Sequence, residues 1–149
     1  LAEHEDHNKI AMTQLTRARQ MFLQLGDEDA EGYGILNALW KLEKDDPTRV
    51  AQWDDAVRGA ITPPRAMLAL SLELLRLCEK LVPTTNKQLK SDLGVAAVLA
   101  QASARSAAWN VNINISLLPT DQQPELTDSV ETLLQQAQKH CASIESGCA

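Results

Sequence analysis

SDLGVAAVLAQASARSAAWNVNINI, from Ser91 to Ile115, reads as one long alanine-rich helix carrying polar residues where a plain core helix would not want them. Val95, Leu99, Ala102, Trp109 and Ile113 recur at three- and four-residue steps, which predicts that this stripe packs inward. Ala96, Ala97, Ala100, Ala104, Ala107 and Ala108 would let neighbouring backbones come close. Asp92, Arg105, Asn110, Asn112 and Asn114 have no place in such a stripe, so something specific is expected there.

Working outward, further helices are expected on both sides. Asp6 to Leu25 repeats Ala11, Leu15, Ala18, Phe22 and Leu25, and Gly26 reads as its stop. Asp27 to Asp29 would cap a second helix to about Leu42, with Tyr33, Leu36 and Trp40 on its face. Asp46-Pro47 is a start signal for a third, because a proline in the first turn loses no hydrogen bond. That helix shows Val50, Trp53, Val57 and Ile61, then meets Pro63-Pro64, where a kinked continuation is expected. Beyond the prolines, Leu68, Leu72, Leu75 and Val82 are flanked by Met67, Leu70, Leu74 and Leu77, the pattern of a strut buried on more than one side. Pro83 to Lys90 reads as a connection, the alanine-rich helix runs to about Leu118, and Pro124 to Ile144 forms the last helix before a frayed tail. The expected fold is an all-α, up-down bundle of about six helices in a single domain.

Composition agrees. The chain has 149 residues, 44% of them hydrophobic and only 3% aromatic, with six glycines. That length can bury roughly two-thirds of the unfolded surface. A net charge of −6 argues against nucleic acid, whose phosphates need clustered cations, and against anionic membranes. No apolar run is as long as a membrane span. Cys78, Cys141 and Cys148 are odd in number and lack C-x-x-C spacing, which points to a reduced, cytoplasmic protein with neither disulfides nor a zinc site. His4, Glu5, Asp6 and His7 lack the H-E-x-x-H pattern, so no metal is expected there.

Several motifs together resemble the cyclodeaminase/cyclohydrolase family of folate one-carbon metabolism, found as a domain of formiminotransferase-cyclodeaminase and as stand-alone methenyltetrahydrofolate cyclohydrolases. They are Ser91-Asp92, Gly94-Val95-Ala96-Ala97, Arg105, Asn110-Val111-Asn112-Ile113-Asn114, the acidic element Asp29-Ala30-Glu31-Gly32-Tyr33, and Pro64. The family's usual Gly-Asn before the Ser-Asp pair is Thr85-Asn86 here. The family's opening helix, with its proline and run of glycines, has no counterpart after Leu1, so either a further N-terminal segment or a shortened relative of the family is expected.

The resemblance implies a tetrahydrofolate derivative as substrate, no other cofactor, a homodimer, and a formiminotransferase domain or subunit as a possible partner. It implies catalytic roles for Asp29 and Asp92, with Asn86, Arg105, Asn110 and Asn114 as binding residues. Closing a formimino group, or adding water to a methenyl bridge, passes through a tetrahedral carbon beside a cationic amidine. Such a step asks for a carboxylate, a proton shuttle and amides that orient the pterin. Placed in the first turn of a helix, Asp29 would be held ionised by the helix dipole and would stabilise the cation. An anionic folate tail needs a local basic patch, for which Arg65, Lys87, Lys90 and Arg105 are the candidates.

Plainer readings stand beside these. Asp27 to Asp29 and Ser91-Asp92 are ordinary helix starts, Asn110 and Asn114 can serve buried hydrogen bonds to a neighbouring helix, and Trp40, Trp53 and Trp109 read as core anchors. Twenty-two helical residues from Asp92 to Asn114 span roughly 33 Å, so both ends cannot touch one small molecule within one chain. The alternative function is a non-catalytic helical binding or assembly subunit on the same scaffold.

Overall fold

A computed structural model of the chain describes residues 2–149, with side chains from residue 8 onward. It is all-helical among the described residues, with four long helices rather than six: α1 (Ala2–Trp40), α2 (Pro47–Leu81), α3 (Lys90–Ile115) and α4 (Gln123–Cys148), and a single 3₁₀ turn (Lys87–Leu89) before α3. The two expected helices on either side of Gly26 are one. Gly26 has negative φ and so does nothing to stop the helix. Its cost relative to alanine is about 1 kcal/mol, which the packing of α1 along α2 outweighs. The segments on either side of Pro63-Pro64, counted separately in the six, form one helix, the continuation expected there, and both prolines are buried within it.

Asp46 caps α2 as expected, its Oδ1 accepting from the Thr48 N–H at 2.8 Å and the Arg49 N–H at 3.3 Å. Helix α2 is the central strut and packs against α1, α3 and α4, while among the described residues α1 touches α2 alone. Its Leu68, Leu72 and Leu75 are fully buried, with Val57 beside them; α4 adds Val130 and Ile144. Ser71, also fully buried, donates to the Met67 carbonyl at 2.8 Å and meets Ser103 Oγ of α3 at 3.1 Å. The buried bulk of Leu68, Leu72 and Leu75 on α2 thus leaves room on α3 for small residues.

That explains the largest departure from expectation. The face that α3 turns inward is its alanine face, Ala97, Ala100, Ala104, Ala107 and Ala108 with Val111 and Ile115. The stripe expected inside lies outside: Val95 is 59% exposed, Leu99 65%, Trp109 74% and Ile113 75%. Burying an aliphatic side chain of this size is worth about 1.5–3 kcal/mol, so a chain that leaves four such groups in water forgoes a substantial term. Tyr33, Trp40 and Val50 are also exposed rather than core. Of the tryptophans only Trp53 is half-buried; it stands edge-on to Trp40, with ring centres 5.7 Å apart, and under the Arg49 guanidinium at 4.5 Å.

Where α1 crosses α2, a Cβ on Gly32 would lie 2.7 Å from the Gly59 carbonyl oxygen, closer than backbone can yield cheaply, whereas one on Gly26 would meet nothing within 4 Å. On the far side of α2, His140 Nδ1 of α4 lies 2.6 Å from Glu79 Oε2. Hydrogen bonds from Ser143 and His140 hold the Glu79 carboxyl below its usual range.

Two consequences are measurable by thermal unfolding. Gly26→Ala should raise Tm, by relieving about 1 kcal/mol of helix cost, whereas Gly32→Ala should lower it by the ~1–3 kcal/mol of an overpacked contact; a rise in both would mean that α1 and α2 do not cross so closely. A depressed carboxyl pKa contributes stability above the unfolded value that is lost as pH falls through the folded one. Glu79→Gln should therefore cost ~0.2–1 kcal/mol at neutral pH, as an exposed pair does, and nothing once the pH is below the ordinary glutamate range.

Candidate functional site

A cleft of about 360 Å³ opens between the C-terminal halves of α1 and α3, with α2 as its floor. Its walls are Asp29, Tyr33, Asn37 and Trp40 from α1, and Asn110, Ile113 and Asn114 from α3; Leu36 and Ala60 close the bottom. The α1 residues share a face because they follow one another at four- and three-residue steps along an unbroken helix. Asn110 and Asn114 do the same on α3.

Asp29 is half-buried here, and burial pushes its carboxyl above the usual aspartate value. This reverses the expectation from sequence. Helix α1 begins at Ala2, so Asp29 lies deep in the helix interior, beyond the reach of the dipole that acts on the first turn. What remains is desolvation, which favours the protonated form. A carboxyl held that way suits proton transfer better than permanent anionic charge.

Among the described residues the two asparagines make no hydrogen bond to a neighbouring helix. Asn114 donates from Nδ2 to the Asn110 carbonyl at 3.1 Å within α3, which leaves its Oδ1 and the whole exposed Asn110 amide free to address the cleft. Trp40 and Tyr33 present aromatic surface on the opposite wall. Asn37, one turn beyond Tyr33, escaped the sequence reading; its four-residue step from Tyr33, itself four from Asp29, was the available signal.

Asp92, Asn86 and Arg105 lie elsewhere. Asp92 is exposed in the first turn of α3, and Asn86 caps the 3₁₀ turn before it, accepting from the Gln88 N–H at 3.1 Å. Both therefore sit at the end of α3 opposite the cleft, some 33 Å away along the axis. Arg105 is exposed midway along α3 and pairs with no carboxylate among the described residues. Nor do the candidate cations form one patch. Arg65 shares a separate groove with Arg58, Gln122 and Glu125, while Lys90 donates to the Gly147 carbonyl at 2.7 Å. None of them lines the cleft.

The three cysteines are unpaired thiols, two of them buried. No group of three or more His, Cys, Asp or Glu side chains that could hold a metal occurs among the described residues. The side chains of His4, Glu5, Asp6 and His7 fall outside the described residues. No described helix is long and apolar enough to cross a membrane.

Comparison with known proteins bears on the whole of this bundle. The sequence model of the family described as Formiminotransferase-cyclodeaminase matches residues 1–139. A curated relative, the Formimidoyltransferase-cyclodeaminase of Sus scrofa, is 28% identical over 125 residues. The alignment covers 80% of this chain but 23% of that protein, so the chain spans about a quarter of its relative's length. A match over nearly all of a four-helix bundle whose cleft gathers Asp29, Asn110 and Asn114 places the chain in the formiminotransferase-cyclodeaminase family, as a relative of its C-terminal domain.

Proposed function

We propose that the cleft binds the pterin end of a tetrahydrofolate derivative and interconverts its formimino, methenyl and formyl forms. The observation that carries this reading is Asp29, a carboxyl raised by burial and set opposite two side-chain amides and beside two aromatic rings. A flat heterocycle stacks on Trp40 or Tyr33, and its hydrogen-bonding edge suits Asn110 and Asn114.

For the cyclodeaminase step, the substrate carries a protonated formimino group, –CH=NH₂⁺, on one folate nitrogen. The neighbouring N–H nitrogen adds its lone pair to that carbon, forming the second C–N bond. Asp29 takes the proton from the attacking nitrogen and returns it to the NH₂ group. The original C–NH₂ bond then breaks, ammonia leaves, and the positive charge remains on the methenyl bridge. In the hydrolytic direction the same carboxylate takes a proton from water as it adds to the bridge, and passes it to the ring nitrogen released when one C–N bond opens; the proton left on the new hydroxyl goes to solvent as the formyl C=O forms, so the charge of the bridge leaves with it. Only protons move, so the proposal includes no metal or redox cofactor.

A binding cation itself shifts Asp29 back towards the ionised form, which ties the base to the presence of substrate. The proposal places the protein in a reducing, cytoplasmic compartment, in keeping with its unpaired thiols. Because the Sus scrofa relative is named as both a formimidoyltransferase and a cyclodeaminase, it also includes a transferase domain or subunit as supplier of the formimino-folate. It further includes a homodimer, since a cleft open at Ile113 and an uncovered apolar face on α3 both leave room for a second subunit.

Hydrolysis of methenyltetrahydrofolate followed by absorbance tests the reading. Asp29→Asn should lower the rate by about 10²–10⁴-fold, the usual share of a general acid–base group, and remove the acid limb of the pH profile. Its Tm at neutral pH should equal or exceed that of the parent. A raised carboxyl pKa gives stability that is present at low pH and lost as pH rises through the folded value, and asparagine escapes that loss. Equal rates in both proteins would remove Asp29 from the mechanism; turnover of neither methenyl- nor formimino-tetrahydrofolate by the intact chain would leave the binding or assembly subunit.

A further inference from the structure

Along the α1 wall of the cleft, Asp29, Tyr33, Asn37 and Trp40 stand at steps of four, four and three. At the rise of an α-helix, Tyr33 is about 6 Å from Asp29 along the axis and Trp40 about 16 Å. Side chains on a helix lean towards its N-terminus, so the Tyr33 ring lies over the turn that carries Asp29, whereas Trp40 lies over the turn of Asn37. The wall is a ruler laid against whatever the carboxyl acts on.

The two aromatic residues differ in what already holds them. Trp40, the last residue of α1, has a place in the chain's own packing. Its indole stands edge-on to Trp53 at 5.7 Å, Trp53 lies under the Arg49 guanidinium at 4.5 Å, and Arg49 Nη1 donates to the Leu42 carbonyl, just past the end of α1, at 2.7 Å. One planar guanidinium thus stacks and donates at once, which ties the end of α1 to the first turns of α2. Tyr33 pairs with no other ring among the described residues and is 67% exposed. Its backbone is nevertheless fixed, because the adjoining Gly32 is pressed against the Gly59 carbonyl of α2. A large ring held at its root and bare on its face has no packing role within the chain.

We propose that Tyr33 is the stacking platform of the cleft and its specificity-determining residue, taking the ring that adjoins the one-carbon bridge, while Trp40 braces the end of the wall and carries no ring of the ligand.

Reach decides between the two. The rings that flank the bridge of a folate are each joined to it through one nitrogen, so each ring centre lies within about one helical pitch of the reacting carbon. With that carbon at the Asp29 carboxyl, a flanking ring falls over Tyr33 and stops two turns short of Trp40. Stacked there, it also covers the carboxyl from bulk water, which the exposed tyrosine alone does not. This assignment rests on the function proposed above, because it sets the reacting carbon at Asp29; the brace on Trp40 does not.

Tyr33 is the one tyrosine of the chain, so protein labelled at the tyrosine ring gives a single set of NMR signals. Tetrahydrofolate, which holds both rings and no group to transfer, is a probe that does not turn over. Its addition should shift the Tyr33 ring signals saturably. Tetrahydrofolate retained in equilibrium dialysis while those signals stay in place overturns the assignment and leaves the function standing. Retention of no folate by the parent chain overturns the function, and the assignment with it.

Kinetics of methenyltetrahydrofolate hydrolysis then separate the two residues. Tyr33→Leu, at an exposed position, should raise KM roughly tenfold, the loss expected on removing a stacking ring, and hold kcat within about threefold, because ground and transition states stack alike. Tyr33→Phe keeps the ring and should stay within about twofold of the parent in both. Trp40→Leu should lower Tm, by loss of its contact with Trp53, yet change KM by no more than about threefold. A larger rise in KM at Trp40→Leu than at Tyr33→Leu, or a Tyr33→Phe protein as impaired as Tyr33→Leu, overturns the platform.

Discussion

The approach of α1 to α2 at Gly32 and Gly59 governs the rest of the molecule. With no side chain at Gly32, the two backbones come so close that an added methyl there would overlap the Gly59 carbonyl, whereas one at Gly59 would meet nothing within 4 Å. The crossing fixes the rotation of α1 about its own axis, and that rotation decides where every residue one or two turns away will point. Asp29 lies a turn before the contact, and Tyr33, Asn37 and Trp40 follow it on the face turned to α3. Without Gly32 the same residues would still lie on a helix, but not over Ala60 and opposite Asn110. A residue with no side chain thus positions a carboxyl by letting one backbone approach another.

From that geometry follows the electrostatics. A carboxyl in the middle of a long helix gains no help from the dipole, and one set over buried apolar residues loses part of its hydration. The two effects together make Asp29 reluctant to ionise, a state suited to accepting and returning a proton. An amidine cation in the cleft would restore the charge. The amides of Asn110 and Asn114 add orientation without adding charge, so Asp29 remains the one carboxyl among the described residues that line the cleft.

Much of the fold was legible in the sequence because the buried stripes of α2 and α4 are built from the usual large aliphatic residues at helical spacing. Leu68, Leu72 and Leu75, and Val130 with Ile144, are buried as their period predicts. A helix break was over-read at Gly26, since local propensity is weaker than the packing of a long helix along its neighbour, whereas the continuation expected through Pro63-Pro64 is present. The alanine-rich helix misled in a different way. It carries two apolar faces, and the rule that the larger residues go inside chose the wrong one, because Leu68 and its neighbours on α2 had already filled the interior. What a sequence lists as core can be a surface waiting for another surface. The asparagines and Asp29 were visible as polar residues out of place; that they meet in one cleft, and that Asp92 does not join them within the chain, required the three-dimensional path of α1 over α2.

The account turns on the protonation of one side chain, and carboxyl-carbon NMR of the chain labelled at aspartate observes it directly. Titrated alone, Asp29 should show a pKa above the ordinary aspartate value, as its burial requires; with the methenyltetrahydrofolate cation bound, the same resonance should move and its pKa should fall. An Asp29 signal that titrates like an exposed aspartate and ignores the added folate would contradict the account.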